Sequence, residues 1–146
     1  MPVRQEPGED DARGPDYRRR GSRPVEFLPQ DLQHTPPTQI LNQLEDELPE
    51  RVAQERTQLV VCHDDLCLPN ILIEPVTDRV TGLIDLGRLG TADCHADLAP
   101  LLATARTTWP DEETAREAEH DFVQRYGAQI DPERQDFYLR LDPLTW

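Results

Sequence analysis

From residue 38 onward, Ile40, Leu41, Leu44, Leu48 and Val52 recur at helical spacing with acids between them. That period predicts an amphipathic helix burying one stripe, expected to pack beneath the loop that follows it. Pro49 falls inside the pattern, so the segment should kink, or divide into two helices with Pro49 in the first turn of the second. Leu59, Val60 and Val61 then form a short aliphatic run that breaks into His63, Asp64 and Asp65. Such a change of character is expected where a buried strand delivers polar side chains into a cleft. Two further apolar runs, residues 71–73 and 80–84, flank the turn-forming residues 74–79 and predict a β-hairpin. With Ile71 facing Ile84 and Ile73 facing Gly82, Asn70 enters the ribbon and Asp85 leaves it at the same open end, on strands about 4.8 Å apart.

Beyond the hairpin the pattern is helical. Asp97 is the expected N-cap of a helix running to residue 106, which puts Pro100 in its first turn, where a missing N–H does no harm. Asp111 should cap the next helix, with Ala115, Ala118, Phe122, Val123 and Tyr126 on one face and Gly127 at its end. Asp131 and Pro132 read as N-cap and first residue of a last helix whose apolar side carries Phe137, Tyr138 and Leu141. Residues 1–23 show no hydrophobic period, carry Gly8, Gly14 and Gly21, and are expected to be disordered. The fold class is therefore α+β: a small ribbon in a mainly helical surround.

Charge narrows the partners. The 146 residues carry a formal net charge of −14, with no Lys anywhere. Six Arg and six acids balance within residues 1–26, while residues 27–146 hold nine Arg against 23 acids. An acidic domain argues against a nucleic-acid partner, because neutralising phosphates needs a basic footprint. No apolar run approaches membrane-spanning length, and an odd count of three Cys without a signal peptide suggests reduced thiols in a cytoplasm. Cys62, His63, Cys67, Cys94 and His95 are poorly spaced for zinc: no C-x-x-C occurs, and the adjacent Cys62 and His63 point to opposite faces of a strand.

The chemistry sits in residues 60–93. Asp65, Asn70 and Asp85 match what phosphoryl transfer requires: one carboxylate to orient an attacking hydroxyl, and one neutral and one charged oxygen ligand for Mg2+. Their spacing, His63-Asp64-Asp65 with Asn70 five residues after Asp65 and then Asp85-Leu86-Gly87, follows the two kinase signatures H-R-D-x-x-x-x-N and D-F-G. Arg88 is placed either to contact phosphate or substrate or to pair with Asp93.

At these residues the chain resembles the aminoglycoside phosphotransferases, antibiotic kinases distantly similar to protein kinases. The run from Cys67 to Asn70, the segment 83–93 and the ending 137–146 look most like the branch that phosphorylates streptomycin at the 3'' position. The resemblance covers residues 27–146 and implies a protein-kinase-like C-terminal lobe without the nucleotide-binding N-terminal lobe, preceded by a tail over residues 1–26. It implies Asp65 as catalytic base, Asn70 and Asp85 as ligands of Mg2+, ATP as co-substrate and a cationic aminoglycoside as acceptor. By comparison with kanamycin-type relatives, Asp142 and the chain-end carboxylate of Trp146 become candidate contacts for drug ammonium groups. Asp142 reads equally well as an acid at a helix end before Pro143. Two departures matter. The Lys and Gly-rich loop that grip a triphosphate are not in these residues, and Asp64 stands where the family usually has Gly or another uncharged residue. A carboxylate there should repel phosphate unless it binds metal or turns away. The leading expectation is an aminoglycoside O-phosphotransferase conferring resistance, present as its C-terminal lobe. The alternative is a non-catalytic fragment that binds a ligand or partner, or self-associates, through an exposed lobe interface.

Overall fold

The structure, a computed structural model, describes residues 32–127 and 129–145. The expected tail over 1–26 and the terminal Trp146 lie outside the described residues. In chain order the elements are α1 (Pro37–Glu55), β1 (Leu59–Cys62), β2 (Ile71–Glu74), β3 (Arg79–Leu83), β4 (Gly90–Asp93), α2 (His95–Arg106), α3 (Glu112–Tyr126) and α4 (Pro132–Leu141). Short 3-10 turns cover Leu68–Asn70, Leu86–Arg88 and Asp142–Leu144. Helices dominate, as the periodicity predicts. Among the described residues no helix is long and apolar enough to cross a membrane.

The first helix starts with Pro37 in its first turn and runs unbroken through Pro49, so of the two expected outcomes, a kink or a division, the division does not occur. Pro49 is exposed, and on that side water can satisfy the carbonyl that its missing N–H leaves open. Of the predicted stripe only Ile40 and Leu44 are buried, packing on Phe137 of α4 with Tyr138 and Leu141 beside them. The helix thus rests on α4 and β4, and its last residue, Glu55, shares a cavity wall with Asp64 of the loop after β1. Further along, Arg51 is buried, its guanidinium 5.8 Å from the centre of the Phe137 ring.

Two antiparallel ribbons replace the single one expected. β1 pairs with β4, Leu59 opposite Asp93 through Cys62 opposite Gly90. The sequence offered little sign of β4, whose Gly-Thr-Ala-Asp carries no apolar alternation. Nor is β1 a buried strand: Cys62 alone is buried, and Val61 is 72% exposed. In the β2–β3 hairpin, Ile71 faces Leu83 and Leu72 faces Gly82, then the pairing steps past Thr81 so that Ile73 faces Val80. The predicted register was one residue off at Ile71 and two off at Ile73; the difference between the two is the bulge, an unpaired residue that no apolar count reveals. At the turn, the Glu74 carboxylate accepts from the backbone N–H and the hydroxyl of Thr77, both at 2.7 Å.

The caps of α3 and α4 are as predicted. Asp111 accepts from the N–H of Thr114 at 2.8 Å, Gly127 closes α3 in the left-handed region, and Asp131 accepts from the N–H groups of Glu133 and Arg134. α2 differs: it begins at His95, which places Pro100 in its second turn. Leu98, Ala99, Leu101 and Leu102 of α2 are buried at the centre of the helical layer, against α3, α4 and the turn Leu68–Asn70.

Candidate functional site

β1 ends in a loop held from below. Asp97, in the first turn of α2, does not cap its own helix. Its two carboxylate oxygens each accept a backbone N–H at 2.8 Å, one from His63 and one from Asp64. Asp64 there adopts φ 61°, a left-handed conformation that Asp tolerates better than most residues. The His63 ring reaches the other way: Nε2–H donates to the carbonyl of Ile84 at 2.8 Å. A carbonyl can only accept, so the proton is on Nε2. His63 thus braces the loop against the open end of the hairpin.

That brace brings the two signatures together. Asp65 and Asn70 are both buried, and the Asn70 side-chain amide donates to the Asp65 carbonyl at 2.9 Å and to its carboxylate at 3.3 Å. Across the ribbon, the N–H of Ile84 donates to the carbonyl of Asn70 at 3.0 Å. Asp85 is the next residue, exposed and left-handed at φ 62°, and opens the turn Leu86–Arg88. Asp65, Asn70 and Asp85 therefore meet at one end of the hairpin, although the pairing that puts them there is not the one predicted. Because the Asn70 nitrogen is committed to Asp65, its oxygen is the atom left to face a cation. That oxygen and the Asp85 carboxylate are the hard-oxygen groups at this end of the hairpin that could hold Mg2+.

Arg88 had two readings, and the structure decides against pairing with Asp93. Its Nε and one terminal nitrogen both lie 3.0 Å from Oδ2 of Asp64. Asp93 is already engaged: its carboxylate accepts from the backbone and ring N–H groups of His95, at 2.9 and 2.7 Å, and from Arg134. Burial alone would push the Asp93 carboxyl up, but the His95 hydrogen bonds and the Arg134 charge outweigh it and hold the group below the usual carboxylate range. The ligand atoms of Asp93, Cys94 and His95 cluster within 4.8 Å, yet Asp93 and the ring Nδ1 of His95 are spent on each other. Cys62, Cys67 and Cys94 are not joined in disulfides, and burial, with Asp97 nearby, pushes the Cys62 thiol up to about 12.

Arg88 and Asp142 share a wall. With Glu55, Asp64 and Tyr138 they line a cavity of about 210 Å³ between the end of α1, the loop after β1 and the turn Asp142–Leu144. Two important side chains escaped sequence reasoning. The carboxylate of Asp97 resembled an ordinary N-cap, and Arg134 resembled a surface residue of an acidic helix; neither carries a local sign that its partner lies 33 to 41 residues away in sequence. The Asp97 clamp has a direct consequence. In Asp97→Ala, amide exchange at His63 and Asp64 should accelerate by about tenfold or more, since a hydrogen bond to a charged acceptor contributes about 1.5–3 kcal/mol. Asp97→Asn, which retains one acceptor, should lie between; unchanged exchange would show the loop to be held otherwise.

The arrangement has close counterparts. Over 127 residues the chain is 58% identical to the streptomycin 3''-kinase of Streptomyces griseus, covering 87% of this chain and 47% of that protein. It is 47% identical over 116 residues to an aminoglycoside 3'-phosphotransferase of Streptomyces ribosidificus, of which it covers 42%. The fold superimposes with a TM-score of 0.77 on aminoglycoside phosphotransferase APH(3'')-Id from Streptomyces rimosus, solved in complex with ADP and streptomycin; identity is 56%, over 83% of this chain and 46% of that one. The mainly helical, kinase-like architecture implied by the resemblance is thus the one present. The chain spans about half the length of the relatives it matches. A match to the phosphotransferase enzyme family runs over residues 4–138 and takes in every element from α1 into α4, and the chain belongs to that family.

Proposed function

We propose that this chain carries the catalytic and acceptor-binding side of an aminoglycoside O-phosphotransferase, streptomycin-type, that uses ATP with Mg2+. The observation that carries the reading is the junction at the hairpin's open end, where the Asn70 amide holds the Asp65 carboxylate at 3.3 Å and the bond between Ile84 and Asn70 sets Asp85 alongside.

In this reading Asp65 orients the drug hydroxyl and accepts its proton as the oxygen attacks the γ-phosphorus, while the bond from that phosphorus to the β–γ bridging oxygen breaks and ADP leaves with its electron pair. Asn70 fixes the Asp65 rotamer and, with Asp85, would hold Mg2+, which supplies charge neutralisation for the triphosphate oxygens. His63 and Asp97 keep the loop in place, so little reorganisation accompanies the transfer. Asp142 lies on the acceptor side, where it would contact an ammonium or guanidinium group of the drug.

The test joins this chain to the half of the Streptomyces griseus kinase that it does not match and assays ATP-dependent phosphorylation of streptomycin. Turnover by the joined protein, with none from the 146 residues alone, is the expected result. No turnover from a folded, nucleotide-binding joined protein would overturn the reading. So would robust turnover of a different acceptor class.

A further inference from the structure

The ion pair between Asp64 and Arg88 borders the cavity that also holds Asp142, and no role follows for it from phosphoryl transfer itself. Asp64 is fixed at both ends. Its backbone N–H is bound by Asp97 and its φ is 61°, while its Oδ2 receives two Arg88 nitrogens at 3.0 Å. The side chain therefore has a defined position, although it is partly open to solvent. The repulsion expected from a carboxylate beside a phosphate is also answered: the charge faces a guanidinium.

Three carboxylates, Glu55, Asp64 and Asp142, line this cavity against one guanidinium, Arg88, a formal lining charge of −2. Tyr138 supplies a wall, and burial raises its hydroxyl pKa, so it stays a neutral donor and acceptor. If Asp64 were uncharged, Arg88 would face the cavity as a cation without this counter-charge, and the lining would drop to −1.

We propose that Asp64 is a specificity-determining residue: by holding Arg88 it keeps the cavity between Glu55 and Asp142 anionic, so that it accepts a guanidinium or ammonium group of the acceptor. The inference rests on the acceptor-side placement of Asp142 in the functional reading above. It adds Glu55 to that side, and it makes the Asp64–Arg88 pair a setter of charge, acting through the cavity rather than on the reacting atoms.

Because the claim concerns charge, it can be tested by a charge cycle. The full chain, its Asp64→Asn and Arg88→Gln variants and the double variant present lining charges of −2, −1, −3 and −2. Titrating each by NMR at low salt with streptomycin, and separately with agmatine as a simple guanidinium probe, reads the affinity directly. Both residues are about one-third or more exposed, so each unit of charge should change Kd by only about threefold. Asp64→Asn should weaken binding, Arg88→Gln should tighten it, and the double variant should return to the parent value. Arg88→Lys, which conserves charge, should match the parent, and Arg88→Met serves in place of Arg88→Gln if that variant misfolds. Addition of ~0.5 M salt should flatten the series. A double variant as weak as Asp64→Asn, or an Asp64→Asn chain as tight as the parent, would overturn the proposal, because a purely structural loss is not repaired by removing a second charge. Streptomycin that binds with indifference to the four charges sinks the inference and leaves the functional reading standing. Agmatine that follows the series while streptomycin fails to bind does the reverse, and a parent chain that binds neither probe overturns the inference.

Discussion

Replacing Asp65 with Ala in the joined kinase is expected to lower kcat by about 10³-fold, with KM for streptomycin changing by less than about threefold. General-base catalysis contributes about 10²–10⁴-fold. Asp65 is well placed to supply it, being buried and oriented by the Asn70 amide through both its main-chain carbonyl and its carboxylate. Asp65→Asn should be nearly as inactive: it conserves shape and the contact with residue 70 but cannot take a proton. The effect should fall on kcat because the lost interaction forms as the hydroxyl attacks, whereas in the proposed function acceptor affinity comes from the cavity that Asp142 lines. Steady-state kinetics on the two variants decide the matter. Retention of more than a tenth of parent kcat by Asp65→Ala would assign the base elsewhere, and a loss confined to KM would make Asp65 a binding group.

The second large effect concerns stability. Arg134→Met should destabilise the chain by about 3–5 kcal/mol, the usual result of removing one partner from a buried ion pair. The reason is what Arg134 joins. Its guanidinium donates to Asp93 at the end of β4 and to the Gln58 side chain at 2.7 Å, just before β1, while the backbone N–H of Asp131 at the start of α4 donates to Nε2 of His95 at 3.1 Å. Asp93 and His95 are almost wholly buried, so removing the cation leaves a carboxylate with no water to replace it. The same cluster predicts a pH dependence. The folded-state pKa of Asp93 is depressed, so its stabilisation is fully present above the unfolded carboxyl value of about 3.9 and is lost as pH falls through the lower folded value. Urea midpoints of the parent chain should therefore drop steeply below about pH 4. Asp93→Asn, weaker at neutral pH, should lose less over that window. Parallel curves for the two proteins would show that acid sensitivity arises at other carboxylates.

The Asp93 cluster also marks where reading along the chain stops working. Local rules hold wherever partners are close in sequence. Asp111 and Asp131 cap the helices they precede, because the amides they satisfy lie two or three residues on. Asp97 has the same composition cue and a different task, since the backbone amides of His63 and Asp64 take its carboxylate and only the fold brings them within 2.8 Å. The hairpin shows the same division. Its existence and its open end were legible, but its register was not, because the bulge at Thr81 leaves the apolar count unchanged while moving every pair beyond it.

By itself, the sequence determined the mainly helical class, the ribbon, the caps of the last two helices and the three polar residues, Asp65, Asn70 and Asp85, with kinase-like spacing. Each depends on a period, a cap or a motif that lies within about twenty residues. The tertiary structure alone decided that α1 rests on α4, that Arg88 pairs with Asp64 and not Asp93, and that Glu55 and Asp142 line one cavity. Those outcomes depend on competition among side chains for partners across the chain. Charge and hydrogen-bonding distance settle that competition, and neither is encoded in the spacing of neighbours.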